Sequence, residues 1–186
     1  MRKMLEYLKM KKLYLIGLSG SGKSVIGQKI AQEKGLLWKD TDKQILNMFE
    51  KDNITEIFDE FGEETFRKVE KEIFESILAS DEKCIVSTGG GLPIIDGVMD
   101  SMLKDGSVIY LTASIECLWR RLSYVPKELD DRPLLKKDGQ KALEKMLNER
   151  DETYKRANYI ICTECLPINE SIKKVVKIIE GNNCFV

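Results

Sequence analysis

Gly17-Leu18-Ser19-Gly20-Ser21-Gly22-Lys23-Ser24 matches the phosphate-binding pattern G-x-x-x-x-G-K-[ST] at every position. Average composition gives that pattern by accident roughly once in a couple of hundred chains of this length. The context tightens the assignment, because an apolar run precedes the motif and helical spacing follows it. Glycines let such a loop curl into a nest of N–H donors, and the helix start adds its dipole. Lys23 is placed to reach the β- and γ-phosphates of a nucleotide, and the Ser24 hydroxyl to ligate Mg²⁺.

Acids follow at Asp40-Thr41-Asp42. Read as extended chain, these two carboxylates project to one side about 7 Å apart. They lie at the carboxyl end of a strand, where open α/β sheets place their sites. One is suited to the Mg²⁺ shell and the other to accepting a hydroxyl proton. The structural alternative is that Asp42 only caps the next helix. Arg67 lies three residues before Glu70 on a helical stretch, so the two can pair. Arg150 lies on a later helix, four residues before Tyr154. Gly89-Gly90-Gly91 is a second place where backbone N–H groups can meet an anion or hydroxyl. Arg132 precedes Pro133, which favours extended backbone there.

Histidine is absent from the 186 residues, so proton chemistry falls to carboxylates, Lys, Tyr or Cys. The net charge of −1 argues against a broad electrostatic grip on nucleic acid or anionic lipid. No run approaches about 18 apolar residues, so no membrane span is expected. Five scattered cysteines show no disulfide framework, and the lone Cys162-x-x-Cys165 lacks the further ligands a zinc site needs. A reducing, cytoplasmic setting follows as the expectation.

The elements alternate. Strands are expected at Leu13–Leu18, Leu36–Lys39, Cys84–Ser87, Val108–Leu111 and Tyr159–Cys162. Helices are expected at Lys23–Lys34, Asp42–Phe49, Ile54–Phe61, Glu64–Ser80, Ile115–Leu122, Lys141–Ala157 and Glu170–Ile179. Short strands apolar on both faces and separated by helices predict a parallel sheet covered on both sides. The chain reads as one domain, 1–186. Ser123–Gly139 shows no helical period and has the length of a lid.

The ordered set GLSGSGKS, KDTDKQI, GEETFRKVE, STGGG, RPLL and Arg150-x-x-x-Tyr154 resembles shikimate kinase from Leu13 to about Ile179. The resemblance implies an α/β, three-layer P-loop kinase fold, its five parallel strands ordered 2-3-1-4-5, with a mobile lid at about 123–139. Residues 1–11 then form an N-terminal extension, with Met10 an alternative start, and 181–186 a tail. It implies transfer of the γ-phosphoryl of ATP to the 3-hydroxyl of shikimate, with Mg²⁺, in a monomeric enzyme.

By position, Asp42 would be the base and Asp40 would join Ser24 at the metal. ATP would meet Gly20, Ser21, Gly22, Lys23, Ser24, Val25, Arg121 and Arg132, with Arg121 lying against adenine. Arg67 and Arg150 would clamp the shikimate carboxylate, Glu70 orienting Arg67, while Gly89, Gly90 and Gly91 meet the ring. Arg132 would swing in with the lid to neutralise phosphate charge. Three features depart from the family pattern, the first being the N-terminal extension already named. The lid is longer, carrying Glu128, Asp130 and Asp131 beside Arg132, and the Thr163–Asn169 loop lacks the polar residue expected near adenine. The other readings weighed are a kinase of a different small acid, such as gluconate, and a nucleotide-binding relative without catalysis.

Overall fold

Alternation along the central strands decides the layering. In β1 (Lys12–Ile16), Leu13 and Leu15 face one way and Tyr14 and Ile16 the other, and all four are buried. The computed structural model describes residues 12–124, 133–164 and 166–181. Five parallel strands are ordered β2-β3-β1-β4-β5, with β2 at Leu37–Asp40, β3 at Cys84–Ser87, β4 at Gly106–Thr112 and β5 at Tyr159–Cys162.

One face of the sheet packs Leu13, Leu15, Ile85 and Ile109 against Ile26 and Ile30 of α1 (Lys23–Lys34) and Val175 of α7 (Ile168–Ile179). The opposite face packs Tyr14, Val86, Val108 and Tyr110 beneath α3 (Ile54–Ala79), α4 (Val98–Asp105), α5 (Ile115–Ser123) and α6 (Pro133–Tyr154). The short α2 (Thr41–Phe49) packs on α3. This is the expected three-layer order. Only the middle strands are buried on both faces. The edge strands β2 and β5 keep exposed residues such as Leu37 and Ile160.

Several boundaries move for local reasons. The two helices expected at 54–61 and 64–80 form one element interrupted at Gly62, whose φ of 82° is open to glycine but strained for other residues. Helix α6 begins at Pro133 rather than Lys141, since proline suits a first helical position, and it breaks at Gly139. The carboxyl half of the stretch read as aperiodic loop is therefore helical. The expectation of an extended Asp40-Thr41-Asp42 is also corrected. Asp40 ends β2 and accepts the Lys43 N–H at 3.3 Å, so the chain turns into α2 there, with Thr41 and Asp42 in its first turn. The cap is Asp40, not Asp42. Helix α4 and the 3₁₀ turn Leu92–Ile94 had no expected counterpart, because α4 is too short for periodicity to register.

A buried polar cluster closes the amino-terminal end of the sheet. Lys12, 1% exposed, donates to Asp105 at 3.1 Å and to the Leu78 carbonyl at 3.3 Å. The Tyr14 hydroxyl donates to the other Asp105 oxygen at 2.5 Å, and burial together with that carboxylate pushes the phenol pKa well up. Removing one partner of such a group strands the others. Asp105→Ala is expected to cost about 3 kcal/mol in urea unfolding, while leaving substrate KM values unchanged, because the cluster lies at the end of the sheet away from the phosphate loop.

Candidate active site

Lys23 is nearly buried, and its Nζ donates to the Gly17 and Leu18 carbonyls at 2.9 and 2.8 Å. The loop around it turns through positive φ at Gly20 (80°) and Gly22 (95°), and Gly22 is the residue from which α1 springs. That conformation is open to glycine and strained for other residues, which is why the motif spends glycines there. Ser21 is buried with its hydroxyl unpartnered among the described residues. Val25 stands in the first turn of α1, 51% exposed.

Beside the loop, the Ser24 hydroxyl donates to Asp40 Oδ2 at 2.6 Å. The two candidate metal residues thus meet across α1 and β2. Ser87, ending β3, donates to the Lys23 carbonyl at 3.0 Å and accepts from the Trp38 indole at 3.0 Å. These bonds tie the first turn of α1 to the carboxyl edge of the sheet.

The second glycine loop follows β3, and its backbone lies where side chains converge. A Cβ at Gly89 would stand 2.5 Å from Asp42 Oδ1 and 2.6 Å from Glu70 Oε1. At Gly91 it would stand 2.3 Å from an Arg67 guanidinium nitrogen, and at Gly90 3.2 Å from one of Arg150. Asp42, Glu70, Arg67 and Arg150 therefore come together around Gly89–Gly91 from three helices. Any side chain at Gly89 or Gly91 would displace them.

Arg67 donates to Glu70 Oε2 at 2.7 Å and to Glu63 Oε1 at 3.1 Å. Burial works against its charge, and the two carboxylates outweigh that, so its pKa sits above the ordinary value. Glu70 is 1% exposed. Burial pushes its pKa up to about 7 against the pull of Arg67, with Asp42 adding to the rise and Arg150 opposing it. Glu70 Oε1 and Arg150 Nε are buried without a hydrogen-bond partner among the described residues. Such unpaired polar atoms are costly in a finished core and ordinary in a site awaiting a ligand. A cavity of about 420 Å³ opens beside them, lined by Arg67, Gly91, Ile95, Met146 and Arg150 among others.

Arg121 donates to the Gly20 carbonyl at 3.2 Å and to the Thr163 hydroxyl and carbonyl at 3.0 and 2.7 Å. It therefore bridges the phosphate loop and the segment after β5. In that segment Glu164 accepts the Ser114 N–H and hydroxyl at 3.0 and 2.6 Å. Arg132, with the lid acids Glu128, Asp130 and Asp131, lies outside the described residues.

Three supporting residues have no role assigned from the sequence alone. Thr41 Oγ1 accepts the Gly89 N–H at 2.8 Å, the Tyr154 hydroxyl donates to the Gly90 carbonyl, and Thr163 knits Arg121 to the loop. Tyr154 alone carried a usable signal, since it lies one turn from Arg150 on the same helix. Its phenol is pushed up to about 12 by burial, so it donates at neutral pH. The other two depend on contacts between distant segments.

The fold order, the phosphate loop at the carboxyl end of β1 and the carboxylate–arginine group beside it define a P-loop kinase. The family model described as shikimate kinase matches residues 19–180. A shikimate kinase of Clostridium botulinum (strain Okra / Type B1) is 39% identical over 168 residues, covering 90% of this chain and 95% of that protein. The solved shikimate kinase from Acinetobacter baumannii in complex with shikimate superposes with a TM-score of 0.84 at 26% identity, covering 96% of this chain and 98% of that one. Shikimate kinase from Bacteroides thetaiotaomicron gives 0.80 at 28%, covering 91% and 98%. The chain belongs to the shikimate kinase family.

The raised Glu70 pKa has a consequence for stability. Between its ordinary 4.5 and about 7 the folded state holds a proton that the unfolded chain releases. Stability from this group is complete below that window and is lost as pH rises through it. Wild type is therefore expected to lose stability relative to Glu70→Gln between pH 5 and 7.5, as read by urea unfolding at both pH values.

Proposed function

We propose that this chain transfers the γ-phosphoryl group of ATP to the 3-hydroxyl of shikimate, giving shikimate 3-phosphate and ADP on the route to chorismate and the aromatic amino acids. One observation carries the reading. Asp42, Glu70, Arg67 and Arg150 converge on the Gly89–Gly91 backbone beside the phosphate loop.

Two arginines on one cavity wall suit a planar carboxylate, because each guanidinium offers a rigid fork of donors. Arg150 keeps a buried Nε for that purpose, and Glu70 holds the Arg67 fork in place. Asp42 takes the proton of the acceptor hydroxyl as its oxygen forms the new P–O bond and ADP leaves with the electrons of the broken one. Gly89 to Gly91, lacking side chains, leave room for the ring. Lys23 leaves its carbonyl partners for phosphate oxygens.

Ser24 and Asp40 are hard oxygen donors already in contact, a donor set that fits Mg²⁺ completed by water and phosphate oxygens. Held by Ser24 and Asp40, such an ion would offset phosphate charge during transfer. Gly20, Ser21, Gly22 and Val25 line the nucleotide's approach, and Arg121, anchored to Thr163, supports the adenine side. Arg132 joins on lid closure, excluding water that would otherwise accept the phosphoryl group. The proposal includes a monomer working in the cytoplasm. The unpaired thiols of Cys84, Cys117 and Cys162 accord with a reducing compartment. Among the described residues no helix is long and apolar enough to cross a membrane.

Coupled ADP release in the presence of Mg²⁺ is expected with shikimate and not with gluconate. The reverse preference would remove the proposal. Asp42→Asn is expected to lower kcat about 100-fold or more with KM for ATP unchanged, and near-normal kcat would take the base role from it. Arg67→Ala and Arg150→Ala are each expected to raise KM for shikimate about tenfold or more, the usual loss of a charge-assisted contact. An effect confined to ATP would move the clamp elsewhere.

A further inference from the structure

Arg67 is over-supplied with negative charge. Glu70 is buried, bonds to one guanidinium nitrogen at 2.7 Å, and is fixed within the core. Glu63 is different in every respect. It is 56% exposed, meets the other terminal nitrogen at 3.1 Å, and lines the same cavity as Arg67 and Arg150. It also stands next to Gly62, where α3 breaks, so its backbone is attached to a bend and not to the middle of a helix. Glu63 therefore offers a carboxylate, on the open side of the cavity, to the nitrogen that Glu70 leaves free.

We infer that Glu63 is an internal stand-in for the substrate carboxylate, holding the Arg67 fork until shikimate displaces it and so setting the affinity for the acid. The inference rests on the reading of this cavity as the shikimate site. A guanidinium already engaged by Glu70 has one terminal nitrogen left for an incoming carboxylate, and Glu63 occupies it. Substrate binding then exchanges one ion pair for another, which weakens binding in proportion to the pair it breaks. Exposed pairs of this kind are weak, which is what allows the displacement. The exchange ends before chemistry begins, so kcat is untouched and only the ground-state affinity responds.

The test is calorimetric titration of shikimate into the ADP-bound enzyme, with steady-state kinetics alongside, for wild type, Glu63→Gln and Glu64→Gln. Glu64 is also exposed and lies next to Glu63, so it controls for the change of net charge alone. Glu63→Gln is expected to lower Kd and KM for shikimate about two- to five-fold, with kcat and KM for ATP unchanged and Glu64→Gln close to wild type. An unchanged or higher Kd in Glu63→Gln overturns the inference, and so does an equal fall in both variants. Absence of shikimate binding by wild type would instead remove the underlying assignment of the cavity.

Discussion

The two oxygens of Asp40 join the halves of the site. One accepts the Ser24 hydroxyl at the start of the phosphate-loop helix, and the other accepts the Lys43 N–H and starts the next helix. A single carboxylate thus fixes α1 to the end of β2 and sets where Asp42 emerges. The phosphate loop and Asp42, the proposed proton acceptor, come from different βα units, and they keep a common frame because Asp40 bonds to both. Parallel pairing brings β3 between β2 and β1, so the Gly89–Gly91 loop arrives at the same edge. Thr41 then secures it by accepting the Gly89 N–H.

Charge in the site is placed group by group. The chain is nearly neutral, with 30 basic and 31 acidic residues, yet its site must hold a polyphosphate and an organic acid. The groups placed for this are one lysine kept dry by backbone carbonyls and Arg67, paired to two glutamates. Burying one of these carboxylates has a cost that the structure makes visible. Glu70 is driven up to about 7, poised between burial and its arginine neighbours. With no histidine in the chain, the proposed proton acceptor is a carboxylate, and a carboxylate also orients Arg67.

The two ends of the sheet divide the labour. At the amino-terminal end Lys12, Tyr14 and Asp105 satisfy one another, and none of their side-chain polar atoms is buried without a partner among the described residues. At the carboxyl end Ser21, Glu70 and Arg150 retain buried polar atoms without partners among the described residues. The first end is finished by folding. The second is completed by what binds.

Much of this was legible in the chain. The phosphate loop is a contiguous pattern, and the strands Cys84–Ser87 and Tyr159–Cys162 and the helix Lys23–Lys34 have the bounds their periodicity implies. Arg67 and Glu70 share a helix, so spacing alone pairs them. Helix α4, at Val98–Asp105, was too short to announce itself, and the start of α6 at Pro133 was hidden in a charged, aperiodic stretch. The aspartates were read in an extended segment, and only the folded chain shows that Asp40 captures the Lys43 N–H and turns it into a helix. Sequence determined the phosphate loop and the Arg67–Glu70 pair, because local spacing and backbone preference act within about one helical turn. Tertiary structure decided the rest. Gly89 meets Asp42 and Glu70, Tyr154 meets Gly90, and Arg121 meets Thr163 only once strand order brings distant segments together. No local pattern in the chain encodes those distances.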